Sequence, residues 1–424
     1  MAEAGRTVDP APFCSGTGRT DGCKIEPKAG LAGLTQLKGM TWDHVRGYGP
    51  LDAVTELFRR IHPEVSIHWD RRSLKDFGDY PVAVLAREYD IILIDHPHVG
   101  ICAEQGVLVP LDEHVPAGYL AEQEAHSVGP SYASYNWGGH QWALAVDAAA
   151  QVAAYRPDVL SRADLPATWE KVRALAGELA PGRSIGWPLC PTDAMCSFLT
   201  LCANFGGKRF FDEAEGVPRE VGEAALELMF ELLPLLHESS LRSNPIQMYE
   251  RMAAAEDIVY VPLAFGYTNY SRKNFPGRRI YFADAPSTTG VPGGSLLGGV
   301  GMAVSAFSGH IPLAVEFTML AAHPDVQRTI YFTAGGQPGH LAAWRDEAIN
   351  RECGDFFTAT RRTLDNSYMR PRTKVFPVFQ EQAGIVIHEA LSRKSHGESV
   401  SAAHTVASLN ELYRGIVLRG AHRA

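Results

Sequence analysis

Three short runs of the chain concentrate carboxylates, imidazoles and a guanidinium beside indole rings. They are Trp42-Asp-His-Val-Arg-Gly-Tyr48, Trp69-Asp-Arg71 and Asp95-His-Pro-His-Val-Gly100, and a lone acid, Asp147, follows in a small and apolar stretch. Together they offer Asp43, His44, Arg46, Asp70, Asp95, His96, His98 and Asp147. Several kinds of chemistry are open to this set. Arg46 with His44 or His98 can clamp a carboxylate or another anion, while the acids take hydroxyls or an amine. His44, His96 and His98 with an Asp can hold a metal, although their spacing matches no standard zinc motif. Asp43, His44, Asp95, His96 and His98 can exchange protons near neutral pH, as a cofactor-independent isomerase or lyase step requires. A purely structural use is also open, with the acids capping helices and the histidines satisfying backbone carbonyls.

The periodicity of the chain says what must position these groups. Residues 37–42 read as a strand, 43–49 as a polar, glycine-bearing loop, and 50–61 as an amphipathic helix with Leu51, Val54, Leu57, Phe58 and Ile61 on one face. Residues 65–70 alternate as a second strand, and 89–95 form a continuous apolar run ending in an acid, as a buried parallel strand does. Alternation of strand and helix is the signature of an α/β lobe. Ligands bind such sheets at the C-terminal ends of strands, where all three runs fall. Residues 168–300 read as a second, helix-rich α/β lobe, with a helix over 221–237 and a strand over 257–262. Trp42 and Trp69 from the first lobe, and Trp187, Phe265, Tyr267 and Tyr270 from the second, can wall a ligand pocket or pack in cores. Gly298 and Gly299 can admit a close backbone approach, and Gln337 can donate to a ligand.

Composition narrows the classes. A chain of 424 residues fits two lobes better than one core. A net charge of −9 argues against nucleic acid, which needs clustered Lys and Arg. No apolar run approaches the length of a membrane-spanning helix. His-Glu-x-x-His and a Rossmann glycine pattern after a strand are absent from the sequence, no nucleophilic triad is legible, and no cofactor or metal is expected. Seven cysteines, an odd number, read as buried free thiols. Residues 1–36, rich in Gly, Thr, Ala and Pro, read as a disordered extension with neither the basic and apolar regions of a signal peptide nor a lipoprotein signal around Cys14.

A set of motifs in order carries a resemblance. Ala145 to Asp158, with a lone Asp147 and then Tyr155-Arg-Pro-Asp, resembles the first inter-lobe crossing of extracellular solute-binding proteins of ABC transporters, sugar-binding type, with Ala145 where those proteins have a hinge proline. Pro166-Ala-Thr-Trp-Glu, Phe205-Gly-Gly-Lys-Arg-Phe, Gly298 to Ser305, Ala314 to Gln327, Ala334 to Ala343 and Met369-Arg-Pro-Arg-Thr resemble later segments of that family. The resemblance implies a two-lobed α/β fold of the periplasmic-binding-protein-like type II architecture. The expected lobes are residues 37–146 with 299–344, and 147–298 with 345–424. It further implies closure by a hinge on a sugar or polyol, and an ABC-transporter permease as partner. The cationic, histidine-bearing rim adds a carboxylated ligand to the possibilities. The expected ligand-binding set is Trp42, Asp43, His44, Arg46, Asp70, Asp95, His96, His98, Asp147, Trp187, Tyr267, Gly299 and Gln337. A monomer is expected. The absence of a legible signal peptide points to the cytoplasm, where the same cleft would serve an acid-base enzyme using His44, His98, Asp43 and Asp95, or a ligand sensor. The family role points instead to the periplasm or the cell exterior.

Overall fold

The computed structural model describes residues 34–73 and 82–421. Ten strands organise it: β1 (Thr35–Trp42), β2 (Val65–Arg72), β3 (Ile91–Ile94), the short hairpin β4 (Asn136–Trp137) and β5 (His140–Gln141), β6 (Leu144–Tyr155), β7 (Ser184–Ile185), β8 (Ile258–Phe265), β9 (Tyr281–Ala283) and β10 (Leu297–Val304). The main sheet runs β2-β1-β3-β10-β6-β8-β7, with β9 also paired to β6. β1 lies parallel to β2 and β3, whereas β10 is antiparallel to both β3 and β6.

β6 joins the two halves. Its residues from Leu144 to Ala150 pair with β10, and those from Gln151 to Tyr155 pair with β8 and β9. All twelve residues are buried. The alanines that make this stretch look featureless leave room for packing on both faces of a strand that belongs to two sheets. The residue pattern predicts a strand over 150–155 only; the structure begins it at Leu144 and carries it through the crossing.

Four buried clusters follow from this plan. Leu51, Phe58, Trp69 and Phe317 mark one in the first half, and Met40, Ile92, Ile94 and Tyr135 mark another. In the second half, Trp187, Phe198, Phe376 and Tyr413 share a cluster, and Tyr249, Phe282, Trp344 and Phe356 share the fourth. Phe332, Leu341 and Trp344, which the expected boundaries give to the first lobe, sit in that fourth cluster, because the helix Leu341–Arg345 packs on the helix Phe356–Asp365 with Trp344 edge-on to Phe357 at 4.9 Å. Each large apolar side chain so buried contributes roughly 1.5–3 kcal/mol. Among the described residues no helix is long and apolar enough to cross a membrane.

Two local departures from the expected elements bear on the site. The helix expected from Pro50 begins at Val45 and runs to Ile61, so Arg46 is helical and not in a loop. Gly47 and Gly49 are there for proximity: a Cβ on Gly47 would lie 2.6 Å from the Trp42 ring, and one on Gly49 would lie 2.3 Å from the Ala334 carbonyl. β8 passes through Pro262, where the strand was expected to stop, because its ladder with β6 shifts between Val152 and Ala154 and leaves Pro262 without a pairing partner.

Candidate functional site

A cavity of about 400 Å³ lies where the two halves meet, within the size range of small-molecule sites. The first half supplies Trp42 from the end of β1, Arg46 from the first helical turn, and Asp95 and His98 from the segment after β3. The crossing strands supply Asp147, Ala149, Gly298, Gly299 and Val300. The second half supplies Cys190, Asp193 and Cys196 at the start of the helix Pro191–Gly206, and Asn244 and Gln247 at the start of the helix Pro245–Ala254. Phe265 and Tyr267 follow from β8, and Arg370 and Gln380 from the C-terminal part.

The cations of the cavity are already matched. His44 caps its helix by accepting the Arg46 amide on Nδ1 at 3.1 Å, which sets Arg46 pointing inward. Arg46 donates Nε and Nη2 to the two oxygens of Asp147 at 2.8 and 2.6 Å, and Nη1 to the Gly266 carbonyl at 2.8 Å. Its guanidinium also lies 4.5 Å from the centre of the Tyr267 ring. Residue exposure is 4% for Arg46 and 1% for Asp147. Burial works against both charges, and the guanidinium is nevertheless held above its ordinary pKa by the carboxylate it grips. Arg370 makes the second pair: its Nη2 reaches both oxygens of Asp95 at 2.8 Å, while Nη1 donates to Gln380 at 2.9 Å. Against the upward push of burial, this guanidinium and the flanking histidines hold the Asp95 carboxyl well below the usual carboxylate range.

The opposite wall is different. Asp193, the third residue of its helix, is buried, and its hydrogen bond among the described residues comes from the Cys190 thiol, 3.1 Å from Oδ2. Burial raises its carboxyl to about 7, with no cation acting on it. Asn244 and Gln247 form a reciprocal capping box, each side chain accepting the other's amide at 2.9–3.0 Å. Phe265 lies over Gly298, where a Cβ would come within 2.5 Å of its ring. Gly299, at φ 90°, brings β10 so close to β6 that a Cβ would be 2.3 Å from the Asp147 carbonyl. Burial pushes the Tyr267 phenol up to about 12, so it stays a neutral donor and acceptor.

The model of the family of bacterial extracellular solute-binding proteins matches residues 43–328. The chain belongs to that family. Its fold is shared by several solved structures of solute-binding proteins. The maltose-bound MalE3 of T. maritima has a TM-score of 0.77 at 16% identity, covering 90% of this chain and 100% of that one. A solute-binding protein from Agrobacterium radiobacter K84 in complex with ribitol has a TM-score of 0.75 at 16% identity, covering 91% and 99%. One from Thermotoga Lettingae TMO bound with alpha-D-tagatose has a TM-score of 0.74 at 16% identity, covering 90% and 99%. No curated protein matches the chain by sequence.

Of the thirteen residues of the expected ligand-binding set, the structure brings Trp42, Arg46, Asp95, His98, Asp147, Tyr267 and Gly299 to this cavity. It places six elsewhere. Asp70 lies on β2, the edge strand, two strands from the junction, where it accepts from the Tyr89 hydroxyl at 2.8 Å and meets His68 at 3.1 Å. Asp43 is exposed beside the helix start. His44 caps that helix and turns its ring edge-on to Tyr267 at 5.1 Å; burial and then Arg46 lower it to about 4. His96 is fully buried, accepts the Arg370 amide on Nε2 at 3.3 Å, and is lowered to about 4 by burial and Arg370. Trp187 is core, stacked on Trp169 at 5.5 Å and donating to Ser197 at 2.9 Å. Gln337 ties the crossing together, donating to the Ala148 carbonyl at 2.9 Å and accepting the Thr268 amide at 3.0 Å. His44 and His96 therefore stay neutral near pH 7 behind the lining, so the proton-exchange set of Asp43, His44, Asp95, His96 and His98 does not assemble around the cavity.

The anion clamp at Arg46 is corrected in the same way, since its guanidinium already grips Asp147. The imidazoles of His44, His96 and His98 form no metal cluster among the described residues; the group within metal-binding reach is Glu122, His126 and His340, outside the cleft. That group is a poor fit for an ion. His340 accepts the Ala342 amide on Nδ1 at 3.1 Å, so Nε2 carries the proton and donates to Glu122 at 3.0 Å. Sequence reading missed Asp193, Arg370, Asn244, Gln247 and Gln380. Pro191 and Asp193 at the first and third positions of a helix were the available signal for one of them. Cys102, Cys190, Cys196, Cys202 and Cys353 are free thiols, all buried except the partly exposed Cys190; Cys14 and Cys23 lie outside the described residues.

Proposed function

We propose that this protein is the receptor of an ABC transporter and closes its two lobes on one small, polyhydroxylated ligand of the sugar or polyol class. The observation that carries the reading is the composition of the cleft. The aromatic side chains of Trp42, Phe265 and Tyr267 line a cavity whose two guanidinium groups are both paired with aspartates. Hydroxyl-bearing rings suit such a wall, because aromatic faces cover their apolar side while carboxylates and amides take the hydroxyls. Among the described residues, both guanidinium groups that line the cavity are paired, so neither is left for a carboxylated ligand. The fold neighbours crystallised with maltose, ribitol and tagatose support the same class.

Calorimetric titration against matched sets of neutral sugars, polyols and sugar acids tests this reading. A neutral member binding with micromolar or tighter affinity, and raising the melting temperature through linkage, is the expected result. Binding confined to the sugar acids would overturn it. We further take the receptor to be a monomer working outside the cytoplasmic membrane with a permease, a reading supported by the family. Light scattering behind size exclusion and cell fractionation check these two points.

A further inference from the structure

We propose that the ligand carries a protonated amine, as an amino sugar or amino polyol does, and that this ammonium seats on Asp193. The inference rests on the solute-receptor reading above and narrows its ligand class. Three carboxylates and two guanidinium groups line the cavity. Asp147 and Asp95 are closed by Arg46 and Arg370 in two-point pairs. Asp193 is the carboxylate left over.

The surroundings of Asp193 sharpen the point. The Cys190 thiol is a weak donor and reaches only Oδ2. Oδ1 has no protein partner among the described residues. The thiols of Cys190 and Cys196 are pushed upward by burial and remain neutral, so neither competes for a cation with its own charge. Tyr267 and Phe265 line the same cavity as Asp193. A buried acid without a counter-charge is unfavourable unless it is protonated or a ligand supplies the charge. Burial raises the Asp193 carboxyl to about 7, as for an acid to which the surrounding residues bring no counter-charge. The helix N-terminus behind Asp193 eases the charge but presents no positive group of its own.

The test is calorimetry at pH 7 on the full chain with matched pairs: D-glucosamine against D-glucose, D-galactosamine against D-galactose, and D-glucamine against D-sorbitol. In the unaltered protein the amine of at least one pair should bind at least tenfold tighter than its neutral partner. In Asp193→Asn, which keeps the side-chain shape, that preference should collapse towards unity. An Asp193→Ser protein provides a second variant should the amide prevent folding. Neutral members binding as tightly as their amines, or a preference that survives both substitutions, would overturn the ammonium seat and leave the receptor reading standing. If no member of any pair binds, amine or neutral, both readings fall.

Discussion

The two walls of the cleft treat buried charge in opposite ways. On the first-half side and at the crossing, Asp95 and Asp147 each accept two hydrogen bonds from a guanidinium, so the charges cancel within the protein. On the second-half side, Asp193 is buried and, among the described residues, accepts only from a thiol. A closed pair holds architecture: Arg46 comes from the first helix, Asp147 from the crossing strand and the Gly266 carbonyl from the end of β8, so one guanidinium ties both halves. An open carboxylate holds nothing, and what completes it must come from outside. Charge in a cleft is therefore informative only after its internal partners have been counted.

The largest effect should come from breaking the closed wall. Arg46→Met leaves Asp147 buried and unpaired, and a loss of about 3–5 kcal/mol is expected in urea unfolding. A double variant, Arg46→Met with Asp147→Leu, should recover most of that loss; failure to recover would mean that the Gly266 contact matters more than the pair. Next comes the open wall. The folded Asp193 binds its proton up to a pH of about 7, whereas the unfolded chain releases it above its ordinary value of 3.8. The folded form thus holds the extra proton between these values, and stability must fall as pH rises through this window. Asp193→Asn removes that slope. It should be more stable than the parent at pH 8, by on the order of 4 kcal/mol at most, and equal to it near pH 4. Parallel pH profiles for the two proteins would show that Asp193 is not the strained group.

Two smaller effects separate residues that sequence reading placed in one set. Gln337→Ala strands the Thr268 amide and the Ala148 carbonyl, and should cost about 1–3 kcal/mol of stability. If it acts only through the crossing, ligand affinity of the folded protein measured by calorimetry should change little. Asp70→Asn, on the edge strand, should shift stability by about 1 kcal/mol or less and leave affinity alone. A marked affinity loss in Asp70→Asn would extend the site across two strands where the sheet order gives it no route.

Much of the frame was legible because it rests on local periodicity. The strands ending at Trp42 and Ile94, the apolar face of Leu51, Val54 and Phe58, and the strand after Asp257 all announce themselves by alternation or helical spacing. The site was legible only in part. Arg46, Asp95 and Asp147 stood out as charge in unusual company, but their partners lie 101 and 275 positions away in the chain, beyond any local signal. Gly47 and Gly49 read as a loop, since what packs against the helix there, the Trp42 ring and the Ala334 carbonyl, is not announced by any local pattern.

The sequence by itself determined the alternation of strands and helices, the solute-binding family and the charged ends of the first strands, because these depend on side-chain pattern within a few residues. Tertiary structure alone decided which of those charged ends meet. Asp70 and Asp95 both close apolar strands, yet sheet order puts one on the outer edge and the other beside β10 at the junction. It also decided which charges are already spent, since pairing in a low-dielectric interior depends on distance and burial, and neither is written in the spacing of residues along a chain.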